Sequence, residues 1–125
     1  MKKSLAVLSC AFGALLLAGP ALAAERAPLP PQVRNDLQCF IIYSSVLGNS
    51  KDESVKQAAQ INWTYYLGKI DGGANGMAMF EEVKAEAARM RTVDLQKIAT
   101  ACDANMSKRG NQVMAIGKAL TAAGL

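Results

Sequence analysis

Residues 32–47, QVRNDLQCFIIYSSVL, decide the fold. Val33, Leu37, Phe40, Ile41 and Leu47 recur at helical spacing, and Cys39, Ile42, Tyr43 and Val46 fill the neighbouring arc. Only a narrow stripe through Arg34, Gln38 and Ser45 is polar. A helix this apolar around its circumference is either buried at the centre of a helical domain or shared with a second subunit.

Downstream, Gly48 and Asn49 stop this helix, and SKDE (50–53) reads as a capping box in which Ser50 accepts from a backbone amide and Glu53 reaches back. A second helix follows with Val55, Ala59, Asn62, Tyr66 and Ile70 on one face, widened by Ala58 and Trp63. Gly72-Gly73 is expected to end it in a left-handed cap. Gly68 lies inside it at a cost of about 1 kcal/mol relative to Ala, which a closely approaching neighbouring backbone would offset. After the loop DGGANG (71–76), Met79, Phe80, Val83, Ala87 and Met90 give a third amphipathic helix to about Arg91. Glu81, Glu82 and Glu86 are assigned to its solvated side. A fourth pattern starts near Thr92 or Val93 and runs through Leu95, Ile98, Ala99, Cys102, Met106, Val113, Ile116 and Leu120. It is one long helix, or two if Gly110 kinks it. No segment alternates with period two, so the fold class is all-α, a small bundle of four helices, or five if the last one breaks.

Upstream, residues 24–31 carry Pro28, Pro30 and Pro31 and read as an extended tether. Before them, Lys2 and Lys3, the apolar run Leu5–Ala18 and the small-x-small site Ala21-Leu22-Ala23 form a cleavable export signal, residues 1–23. The apolar run is shorter than the roughly 20 residues a spanning helix needs, so no stable membrane anchor is expected after cleavage. The chain is thus read as periplasmic or secreted, with one domain over 32–125. Export removes Cys10 and leaves Cys39 and Cys102 in an oxidising compartment, where a structural disulfide between the first and last helices is the expected outcome.

Several chemistries are excluded outright. The chain has no His, which rules out Ser-His-Asp and Cys-His nucleophile systems, His-ligated zinc or copper and a His pH switch. Without Lys2 and Lys3, twelve bases face ten acids, and Lys108-Arg109 is the longest basic run, too little for a nucleic-acid surface. Asp71 and Asn75 lack the closing Glu of a calcium loop, and no Gly-Lys-Ser/Thr ends a phosphate loop. The methionines are scattered apart from Met77 and Met79, which argues against a copper(I) site. No catalytic residue, metal ligand or cofactor is assigned, and the chain is not expected to be an enzyme.

Protein binding remains. Trp63 and Tyr66 read as core or as binding surface, core being the commoner place for them in a bundle, whereas Tyr65 lies off the main face of the second helix. With Asp71 and Asn75 of the adjoining loop it makes a candidate binding surface. The segments QCFIIY (38–43) and YYLGKIDG (65–72), the signal and the late second Cys resemble a group of small secreted two-Cys helical proteins of Gram-negative bacteria, to which no activity is assigned. More distantly, the plan is similar to periplasmic acid-stress chaperones of the HdeA/HdeB type and to periplasmic immunity proteins. Those resemblances imply that Cys39 and Cys102 correspond to the family disulfide. The expectation is a chaperone-like or stress-related protein; the alternative is a dedicated inhibitor or immunity protein that binds one partner. A second copy of the chain, forming a homodimer, is a further candidate partner.

Overall fold

The structure is a computed structural model that describes residues 27–74 and 76–124. The expected signal, residues 1–23, residues 24–26 of the expected tether and Asn75 lie outside the described residues. Four helices follow one another: α1 (Pro31–Asn49), α2 (Glu53–Gly73), α3 (Met79–Met90) and α4 (Leu95–Ala122), with no strand among the described residues. The all-α expectation holds, and α1 is the hub on which α2, α3 and α4 each pack. That placement explains the apolar circumference of α1: Val33, Leu37, Cys39 and Tyr43 are all buried.

The helix starts differ in detail from the sequence expectations. Pro31 belongs to α1 rather than to the tether, because a ring that fixes φ and lacks an N–H suits the first helical turn. The cap of α2 is Asp52, not Ser50. The Asp52 carboxylate accepts from the Ser54 and Val55 amides, while Ser50 Oγ accepts from the Asp52 amide, a local turn that leads the chain into the cap. α4 begins at Leu95 behind an Asp94 cap that accepts from the Lys97 amide.

The glycines also correct the expectations. Gly72 and Gly73 are helical, and the left-handed turn falls at Gly76, φ 75°, three residues later. Nothing lies within 4 Å of a Cβ built on Gly68, so no neighbouring backbone approaches there. Gly110 does not break α4, which is a single helix of 28 residues.

The core is a short column. Cys39, Tyr43, Ala59, Tyr66 and Cys102 form one buried cluster, flanked by Phe40, Val46, Leu47, Trp63, Ile98 and Met106. Trp63 packs on Phe40 with ring centroids 5.3 Å apart and donates to Ser44 Oγ at 3.0 Å. The disulfide Cys39–Cys102 joins first helix to last, with Cα atoms 5.6 Å apart. Apart from Cys102, only Ile98, Ala99, Asn105 and Met106 of α4 are withdrawn from solvent. From Ser107 to Ala122 every residue of α4 is exposed.

Candidate functional site: charged clasps on the central helix

Two carboxylates sit where sequence periodicity alone would place apolar side chains. Glu86 of α3 was assigned to the solvated face and is instead 1% exposed. Its Oε1 accepts from Gln38 Nε2 at 2.7 Å. Its Oε2 accepts from Arg89 Nη1 at 2.6 Å, and Arg34 Nε lies 3.7 Å from the same oxygen. Arg34 and Gln38 of the narrow polar stripe of α1 thus both meet this one acid, and a buried charge is tolerated only when paired and hydrogen-bonded. A signal was present in α3 itself: Met79, Val83, Glu86 and Met90 fall within about 60° on a helical wheel, with Glu86 at one edge of the apolar stripe.

Asp36 makes the second clasp, to α2. It is 5% exposed and accepts from Lys69 Nζ at 2.5 Å. Lys69 Nζ also lies 5.7 Å from the ring centroids of both Tyr65 and Tyr66, so the cation is held against an aromatic surface as well as a carboxylate. Sequence reading passed over Asp36 because it treated the arc around Leu37 and Phe40 as wholly apolar.

Behind the disulfide the tyrosines bridge three helices. Tyr43 and Tyr66 stack with centroids 5.9 Å apart; Tyr43 donates to Asp103 Oδ1 at 2.7 Å and Tyr66 to the Cys102 carbonyl at 3.4 Å. Burial, then the Asp103 hydrogen bond and charge, push the Tyr43 phenol well above its ordinary value, and burial raises Tyr66 as well. A raised folded value means that the contribution of these phenols is complete below the unfolded value of 10 and is lost as pH climbs above it. Two of the three tyrosines should therefore resist ionisation past pH 10 and then ionise together with loss of helical signal. Parallel recordings of phenolate absorbance and circular dichroism check this, and free titration of all three at the ordinary value would contradict it.

Of the residues expected to bind, Tyr65 and Asp71 stand on different sides of α2. Tyr65 is half-buried, meets Tyr66 edge-on at 5.1 Å, and its hydroxyl accepts from Arg109 Nε at 3.0 Å. Asp71 is exposed but belongs to the last turn of α2 rather than to a loop. Six residues along a helix place it about 120° around from Tyr65. Asn75 lies outside the described residues. A groove of about 340 Å³ runs beside the disulfide, lined by Asn35, Asp36, Gln38, Lys97, Ala101 and Asn105. Among the described residues no three His, Cys, Asp or Glu are grouped to hold a metal, and no helix is long and apolar enough to cross a membrane.

Fold and site together define a small all-α protein with a first-to-last-helix disulfide and charged clasps on its central helix. Compared with known proteins, the chain matches no family model, no curated protein and no solved structure.

Proposed function

We propose that this protein binds other proteins as a chaperone-like stress protein in the compartment to which its N-terminal segment directs it, and that acidification turns the binding on. The observation that carries the reading is the construction of α1. The helix is apolar over most of its circumference, and two of its seams carry buried carboxylates: Asp36 paired with Lys69 of α2, and Glu86 of α3 hydrogen-bonded to Gln38 with Arg34 3.7 Å away. Its client-binding surface is therefore internal and becomes available when those seams loosen.

Acid acts in one direction on such a molecule. Once the carboxylates are neutral, the twelve bases that remain after signal removal have no opposing charge, and self-repulsion favours an opened bundle. The α2 cap contributes in the same sense. The Ser54 side chain and the Ser54 and Val55 amides hold the Asp52 carboxyl below its ordinary 3.8, so its stabilisation is present above that value and is lost as pH falls below it. The disulfide keeps the opened helices on one tether.

Suppression of aggregation of an acid-denatured client should therefore grow as pH falls from neutral towards 3, in step with loss of near-UV circular dichroism. Light scattering of client with and without the oxidised protein tests this. Suppression that is equal at neutral and acidic pH, or absent at both, would sink the proposal.

A further inference from the structure

We infer that a second copy of this chain occupies the exposed half of α4, the two helices lying antiparallel across a two-fold axis between Ile116 and Gly117. This goes beyond the client-binding reading, since it concerns a surface that is already open in the folded bundle.

The seam begins inside the molecule. Ile98, Cys102 and Met106 face the bundle. The same side of α4 then continues through Val113, Ile116 and Leu120, which are 67%, 59% and 46% exposed. Ala99, Met106, Val113 and Leu120 recur every seven residues, and Cys102, Arg109 and Ile116 recur every seven between them. A repeat of seven keeps an apolar seam facing one partner helix, so the established α4 interface prolongs itself towards a helix that the monomer does not supply.

Charge selects a second copy in antiparallel sense. Beyond Asp103, α4 carries Lys108, Arg109 and Lys118 and no acid. Lys108 and Lys118 fall about 120° and 160° from the midline of the seam, on the far side of the helix, so pairing along the seam does not bring them together. An anionic surface or an acidic partner helix would instead call for cations along the seam's two flanks, and those flanks carry Gly110, Gly117, Gln112 and Ala119. Arg109 alone lies in the seam. A parallel pair would set Arg109 against its own counterpart. With the axis between residues 116 and 117, each Arg109 is level with Gly124 of the other copy, beside helix-end carbonyls that carry partial negative charge. The last turn of α4 has no basic residue of its own.

Shape agrees with this register. Ile116 meets Gly117, Val113 meets Leu120 and Gly110 meets Ala123, each large side chain set against a smaller neighbour. No atom lies within 4 Å of a Cβ built on Gly110 or Gly117, so both positions are open to a partner. In this register residues 111–122 of the two helices lie side by side, about 18 Å of helix on each copy.

The test is the mass of the oxidised protein in solution across concentration, by light scattering or sedimentation, for wild type and for Ile116→Glu. Position 116 touches nothing in the monomer's core, so the variant should keep its helical signal while its dimer dissociation constant rises at least about a hundredfold. The register is read separately by oxidation of Gly117→Cys and Lys118→Cys: the first should cross-link two copies, and the second should not. A wild-type monomer at every concentration overturns the proposal, as does unchanged assembly of Ile116→Glu or equal cross-linking at 117 and 118. Sedimentation of a monomeric protein with phosphatidylglycerol vesicles would assign the seam to a membrane surface instead.

Discussion

Replacing Cys39 and Cys102 together by Ala is expected to lower stability by about 4 kcal/mol, the loop-closure contribution of a cross-link spanning 63 positions. For a domain whose whole net stability is of order 5–15 kcal/mol, that is the largest contribution available from a single bond. The loss should also be uneven. α1 and α2 keep Leu37, Tyr66 and Ile70, all at most 1% exposed, whereas α4 is held by little besides Cys102 and its immediate neighbours. Under reduction, α4 should therefore detach before α1 and α2 melt. Chemical denaturation of oxidised protein and of the double Ala variant measures the total. Limited proteolysis of the reduced protein locates it, with first cuts expected after Lys97, Lys108 or Arg109. An unchanged denaturation midpoint, or first cuts in α2, would refute this account.

The helical order of the chain was legible because it rests on local signals. The period of 3.6 residues, the Gly48–Asn49 stop and the glycine-rich 71–76 segment each act over a few residues, and the disulfide follows from pairing the two cysteines that lie outside the expected export signal. The positions that failed share one feature: their partners are remote in sequence. Glu86 looked like a member of an acidic surface until Gln38 and Arg34, about fifty residues earlier, were placed opposite it. Asp36 waited on Lys69 in the same way. Tyr65 reads as a surface residue because it lies off the main face of α2, and it is Arg109 of α4 that reaches its hydroxyl. Caps erred by two or three residues for a different reason, since Ser50, Asp52, Gly72, Gly73 and Gly76 offer several chemically similar stops in a row and geometry picks among them.

The second large effect concerns the α1–α3 clasp, where the two sides are not equivalent. Glu86 is buried, while the Arg34 and Arg89 side chains remain 40% and 50% exposed. Removing both arginines by Arg34→Ala and Arg89→Ala strands a carboxylate that only Gln38 still contacts. The cost should be about 3 kcal/mol, near the low end for a broken buried pair because both cations are partly solvated. Removing the acid instead, by Glu86→Met, leaves two guanidinium side chains that are 40% and 50% exposed, with Arg34 Nε itself buried, and fills the site with an apolar chain of similar length. That change should be neutral to within about 1 kcal/mol. The triple variant should then regain most of what the arginine pair lost, a coupling that independent surface effects would not produce. Denaturation midpoints of the three variants measure it, and a triple variant no more stable than the arginine double variant would mean that the guanidinium stems matter for packing rather than for charge.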